Sequence, residues 1–144
     1  MPKHFEKIIL PYSQEQLFDM VMDVEKYPEF LPWCQGVRIY NTKESVFLAD
    51  LIIGFRLFKE RFTSKVSHDH PNEVHVDYIK GPLKYLHNEW KFNKIKEGTE
   101  IEFSVEFEFK NPIFQKLVGG LFEEAVMKMI NAFHTRAETL YGFK

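Results

Sequence analysis

The segment TEIEFSVEFEF, residues 99–109, constrains the fold more than any other part of the chain. Ile101, Phe103, Val105, Phe107 and Phe109 alternate with Glu100, Glu102, Ser104, Glu106 and Glu108. Successive strand side chains leave on opposite faces, so one face is apolar and the other acidic. An antiparallel sheet with one wet face requires this pattern. Such a strand needs partners, and the preceding sequence contains them. GVRIYNTKE, SVFLADLIIG, FKERFTSKVSHD, EVHVDYIKG and YLHNEWKFNKI read as strands, divided by turn signals such as HPNE, KGPL and KEGT.

The flanks read differently. KHFEKIIL is a first strand, ended by Pro11. In SQEQLFDMVMDV, Ser13 and Gln16 have the spacing of a capping box, and Leu17, Phe18, Val21 and Val24 follow at helical spacing. Pro28 opens a second, one-turn helix and Pro32 prevents its extension. After the strands, Asn111 is a good N-cap and Pro112 suits the first helical position. Phe114, Leu117, Val118, Leu121, Phe122, Ala125, Val126, Met129, Phe133, Ala137 and Leu140 form an apolar stripe closed by Gly142. One helix over residues 112–141 spans roughly 45 Å and must lie across a whole sheet. The expected fold is therefore α+β, in the order β-α-α-β6-α: a seven-stranded antiparallel sheet curved around a long C-terminal helix, with two short helices after strand 1. The gap between sheet and helix is the natural ligand site.

Totals narrow the function classes. At 144 residues, the chain is expected to be one domain over 1–144. A net charge of −2 argues against a strong phosphate-binding surface and against a DNA partner. The lone Cys34 excludes a disulfide framework, suggests a reducing compartment, and reads as a small buried hydrophobe. No apolar run is long enough to span a bilayer, and MPKHFEKIIL has neither a signal-peptide core nor a transit-peptide composition. The expected location is cytoplasmic, with peripheral contact to the inner membrane left open.

Motifs for chemistry are sparse. There is no HExxH, GxSxG or Gly-rich phosphate loop. His68 and His70 in SHDHP lack a third ligand at zinc spacing and read as a solvated turn, so no metal is expected. His134 has no nucleophile beside it. Lys91, Lys94 and Lys96 form a modest basic strip. Glu60 shares its parity with Phe58 and Phe62, and Asn88 with Trp90 and Phe92, so both polar side chains either look inward or return to solvent at a bulge or strand end. Gly119 and Gly120 each cost about 1 kcal/mol inside a helix, as a hinge, a close approach or a tolerated weakness.

LPYSQEQLFDMVMDVEKYPEFLPWC, GFRLFKERFTSKV, GPLKYLHNEWKF and AFHTRAETLYG, in that order, closely resemble the coenzyme Q-binding, START-like family. That family is grouped with polyketide cyclase/dehydrase-like proteins and includes a bacterial ribosome-association toxin branch. DVEKYPEFLPWC is the most specific segment; VGG at residues 118–120 departs from the pattern, where bulkier helix formers are expected. The resemblance implies a helix-grip fold, an apolar cavity, and binding of ubiquinone as ligand rather than cofactor, in support of respiration. It places Phe30, Leu31 and Trp33 at the cavity mouth, where the alternative is that these side chains only plug the core. Phe58, Glu60, Tyr78, Asn88, Trp90, Phe107, Phe122 and Met129 complete the expected ligand-binding set, with no catalytic residues. If inward, Asn88 and a protonated Glu60 hydrogen-bond the quinone ring. The expected partners are a polyprenyl quinone and, transiently, a membrane surface touched by the GFRLF turn beside Arg56 and Lys59. The alternative is a toxin that binds the large ribosomal subunit and blocks subunit joining. A cyclase or hydrolase has Glu60 as its one candidate base.

Overall fold

A computed structural model describes residues 3–31, 33–55, 58–119 and 122–142. The chain runs β1 (Lys3–Leu10), α1 (Gln14–Met22), a 3-10 helix (Val24–Glu29), then β2 (Cys34–Tyr40), β3 (Val46–Phe55), β4 (Phe58–Asp69), β5 (Glu73–Lys80), β6 (Leu83–Ile95) and β7 (Gly98–Phe109). Two helices follow, α2 (Pro112–Gly119) and α3 (Phe122–Tyr141). The strands form one seven-stranded sheet in the order β1-β7-β6-β5-β4-β3-β2, and every neighbouring pair is antiparallel. This is the expected helix-grip arrangement. The helix read over residues 112–141 is described as two segments, because Gly120 and Leu121 lie outside the described residues. Of the two glycines read as a hinge, a close approach or a tolerated weakness, Gly119 is the last residue of α2 and Gly120 lies outside the described residues.

Local chemistry sets the ends of the elements. The Ser13 hydroxyl accepts from Gln16 N at 3.1 Å, and the Gln16 side chain accepts from Ser13 N at 3.0 Å, completing the capping box that the spacing predicts. Asn111 Oδ1 accepts from Ile113 N at 2.8 Å, covering a first-turn donor of α2. Gly142, at φ 83°, donates back to Glu138 O at 2.8 Å and ends α3.

Three contacts tie the helices to one another and to the sheet. Tyr12 Oη donates to Gly142 O at 2.7 Å, and Tyr141 Oη to Gln16 O at 2.8 Å, fastening the end of α3 to the start of α1. Gln14 Nε2 donates to Phe92 O at 2.6 Å. The hairpin between β6 and β7 packs against the chain leaving β1: a Cβ on Gly98, at φ +144°, would stand 2.3 Å from Leu10 O. Only glycine meets both the backbone angle and the approach.

The core lies between the concave face of the sheet and the helices. From α1 it takes Leu17, Phe18, Met20 and Val21; from α3, Phe122, Val126, Phe133 and Ala137. Leu140, counted in the stripe, is exposed. His68 and His70, read from sequence as a solvated turn, belong partly to this packing. Phe18 meets the His70 ring edge-on at 4.7 Å, and His68 lies 6.2 Å from both Phe18 and Phe47. His70 also stands 3.5 Å from Asp19, so α1 holds the imidazoles that the turn presents.

Candidate functional site

Between sheet and α3 lies a cavity of about 330 Å³, at the lower end of the range for small-molecule sites. Inward-facing residues of β3 to β7 make one wall, because strand alternation puts Ala49, Leu51, Ile53, Phe62, Val66, Val74, Val76, Trp90 and the β7 row on one side. Phe122, Ala125, Val126, Met129 and Phe133 make the other, at helical spacing on α3. Val21, Val24, Tyr27, Leu31 and Trp33 close the end next to α1. Edge-to-face aromatic pairs join the walls: Trp90 with Phe133 at 5.1 Å and Phe107 with Phe122 at 5.2 Å.

Few polar groups interrupt this lining, and none is charged among the described residues. Asn88 Nδ2 donates to Ser104 O at 2.9 Å, and Asn88 Oδ1 accepts from Trp90 Nε1 at 3.0 Å. The amide is thereby oriented and keeps one N–H in reserve. Ser64 adds a buried hydroxyl. Tyr27 donates to Val21 O; burial, then the nearby Cys34 and Asp23, push its phenol well above the ordinary value, so it stays a neutral donor. The buried indole N–H of Trp33 meets no acceptor among the described residues. A buried donor left without a partner costs about 1–3 kcal/mol. Beside it, burial pushes the Cys34 thiol up to about 11 despite its contact with Gly36 O, which leaves it un-ionised at neutral pH and a poor nucleophile.

The cavity brings together most of the residues picked from sequence: Leu31, Trp33, Asn88, Trp90, Phe107, Phe122 and Met129. Others stand elsewhere. Glu60 pairs with Ile53 and so shares its face, as parity requires, but it sits near the strand end and is exposed. A carboxylate is far better solvated there than in an apolar cavity. Tyr78 is half-buried and turned to structural use, its hydroxyl accepting from Leu83 N at 3.0 Å. Phe30 packs edge-on against Tyr27 and Phe133 behind the cavity wall, with the Arg136 guanidinium 5.0 Å above its ring. The side chains of Phe55 and Phe58, with residues 56 and 57 of the GFRLF turn, lie outside the described residues. The lining also takes in Ser64, Phe103 and Phe133, which the sequence reading does not include, although Ser64 has the parity of Phe62 and Phe133 belongs to the helix stripe.

The outer face of the sheet carries the charge. On β5 and β6, Glu73, His75 and Glu89 place three potential ligand atoms within 4.8 Å of one another, but they are half-exposed and Lys91 stands 3.6 Å from Glu89. Toward the opposite edge, Arg38, Lys59, Arg61 and Lys65 are all exposed. Arg38 and Arg61 act on Asp50, which accepts from Tyr40 at 3.0 Å and Thr63 at 2.7 Å. Desolvation raises the Asp50 pKa, but those bonds and the Arg61 and Arg38 charges outweigh it and hold the carboxyl below the usual range. No helix among the described residues is long and apolar enough to cross a membrane.

A family model described as polyketide cyclase / dehydrase and lipid transport matches residues 10–134. A ribosome association toxin from Rickettsia prowazekii is 36% identical over 134 residues, covering 90% of this chain and 92% of the relative. A mitochondrial coenzyme Q-binding protein homologue from Xenopus laevis is 32% identical over 145 residues, covering 97% of this chain and 59% of that protein. A START superfamily protein from Mycobacterium smegmatis superposes with a TM-score of 0.81 over 96% of this chain and 98% of the other, at 20% identity, a likeness of fold.

Proposed function

This chain belongs to the polyketide cyclase / dehydrase and lipid transport family, and we propose that its cavity binds a polyprenyl quinone without transforming it, as a carrier that supports respiratory electron transport. The observation that carries this reading is the oriented Asn88 amide in an apolar chamber, beside a buried Trp33 indole N–H that has no partner among the described residues. A quinone ring offers only acceptors, so its site needs donors and no charge. Trp33 donates to one ring oxygen, and the remaining Asn88 N–H provides a second donor within the same lining. The prenyl tail contributes about 0.8 kcal/mol for each CH₂ it buries. A chamber of about 330 Å³ holds the ring and the start of the tail, and the rest leaves through the mouth. The name of the Xenopus relative supports the same ligand class. Among the described lining residues, no carboxylate, imidazole or amine stands ready to take a proton, which favours binding over turnover. Because such a ligand resides in the bilayer, loading takes place at a membrane surface.

Trp33→Phe tests this directly. It keeps the ring and removes the donor, so quinone affinity is expected to fall about tenfold, the worth of one hydrogen bond. Binding of a prenyl chain that lacks the quinone oxygens is expected to be unchanged. The readout is isothermal titration calorimetry of each ligand into the parent and the variant. Equal quinone affinity in the variant and the parent would remove Trp33 from ring recognition.

A second reading, ribosome association, is supported by the name of the Rickettsia relative and by the exposed Arg38, Lys59, Arg61 and Lys65. Antiparallel strands rise about 3.4 Å per residue, so Lys59 and Arg61 stand about 6.8 Å apart along β4, a row suited to a phosphate backbone despite the net charge of −2. In co-sedimentation with large ribosomal subunits, Arg61→Glu with Lys65→Glu is expected to abolish a salt-sensitive association. Association that survives both changes contradicts this surface.

A further inference from the structure

A second concavity, of about 510 Å³, lies outside the cavity between the 3-10 helix and α3. Glu29 and Phe30 form one side; Lys128, Asn131, Thr135 and Arg136 line the other. On α3, Asn131 and Thr135 are one turn apart and Lys128 and Arg136 two turns apart, so all four present one face.

Arg136 is the unusual member. Its side chain is only 16% exposed. Its guanidinium lies over the Phe30 ring at 5.0 Å, and Phe30 is itself braced edge-on against Phe133 at 5.2 Å. The plane of the fork is thus held from the cavity side. Among the described residues, Nε is buried without a partner, and the carboxylate paired with the group is Glu29, at 3.6 Å from Nη2. That is beyond hydrogen-bond reach. Glu29 is 53% exposed and also faces Lys26 at 3.5 Å, while Lys128 faces Glu124 at 3.2 Å. A largely buried guanidinium with no short acceptor is costly, and its fork geometry matches a tetrahedral oxyanion.

We propose that this groove is a binding site for a phosphate-class oxyanion, with Arg136 as the fork donor, Asn131 and Thr135 as neutral donors and Lys128 as the second cation. The oxyanion displaces Glu29 from Arg136. The site stands apart from the quinone cavity and does not rest on what fills it.

The test is an NMR titration of the ¹⁵N-labelled full chain with inorganic phosphate, at ionic strength held constant with chloride, following the arginine Nε–H signals. The Arg136 signal is expected to shift saturably with phosphate and not with chloride. Glu29→Gln removes the competing carboxylate and is expected to tighten phosphate binding about threefold, in keeping with an exposed ion pair. Arg136→Lys is expected to abolish the saturable response of the Asn131 and Thr135 amides while the rest of the spectrum keeps its dispersion. If Arg136→Lys does not fold, the Glu29→Gln comparison decides alone. A parallel arm offers phosphatidylcholine vesicles with and without phosphatidate. Phosphatidate-dependent pelleting that free phosphate competes away assigns a lipid headgroup as the source. A phosphate response without pelleting assigns a free phosphate. A linear or chloride-matched shift of Arg136, or unchanged affinity in Glu29→Gln, overturns the site. Quinone quenching of the intrinsic tryptophan fluorescence is expected to be unaffected in Glu29→Gln, so failure here leaves the cavity reading standing.

Discussion

Phe92→Ala is expected to lower the unfolding free energy by about 3–5 kcal/mol and to leave quinone binding by the folded fraction unchanged. Phe92 is 1% exposed, lies 5.8 Å from Phe18 and stacks at 6.4 Å beside Trp90, outside the cavity lining. Its ring is surrounded by protein, so truncation leaves a void that the neighbours fill only partly. Phe122 provides the contrast. It is also buried, at 6%, and meets Phe107 at 5.2 Å, but one side borders the cavity. Fewer protein contacts are lost there, and Phe122→Ala is expected to cost about half as much, ~2 kcal/mol, while weakening quinone binding or altering its tail-length preference. Urea unfolding and quinone retention measured on both variants separate the cases. A full-sized stability loss at Phe122 with binding intact would place it in the core and remove α3 from the site.

Ala125→Trp should have the larger effect on binding. Ala125 is half-buried and lines the cavity on the α3 face between Phe122 and Met129. An indole projected from this position takes a large part of the space a quinone ring needs. Quinone affinity is expected to fall by at least about 100-fold, or some 2.7 kcal/mol. The ligand-free protein loses no more than the about 1–3 kcal/mol typical of overpacking, less whatever the filled void returns. The check is isothermal titration calorimetry with quinone paired with thermal unfolding. Parent-like affinity in a folded variant would move the ligand out of this chamber altogether.

The architecture was legible because period and punctuation agreed along most of the chain; the exception is Pro28, which stands inside the 3-10 helix Val24–Glu29 rather than opening it. The alternation from Ile101 to Phe109 fixes both the strand and its inner face, and Ser13 with Gln16, Asn111 and Gly142 mark helix ends where the hydrogen bonds place them. The site was legible only as far as parity reaches. Parity puts Asn88 on the cavity side. It also puts Glu60 on the face of Ile53, yet parity carries no information about exposure, and Glu60, two residues from the start of β4, is exposed. Tyr78 escapes the reading for a related reason: the register shifts between Thr63 and Ser64 beside it, and Leu83 N claims its hydroxyl. Phe30 illustrates a third limit. Composition marks the segment around it as aromatic, but which rings face the ligand depends on the turn of a short 3-10 helix, and Phe30 packs against Tyr27 and Phe133 with the Arg136 guanidinium over its ring. The Arg136 groove and the outer cations on β4 depend on pairing between distant segments, so no local pattern announces them.

The most direct test of quinone carriage is mass spectrometry of lipids extracted from the protein purified, without added ligand, from cells that make a polyprenyl quinone. Ala125→Trp prepared in parallel is the control for adventitious lipid. A polyprenyl quinone near one per chain from the parent, and none from Ala125→Trp, is the expected result. Absence of quinone from the parent, together with no quenching of its tryptophan fluorescence when quinone is added, would contradict it.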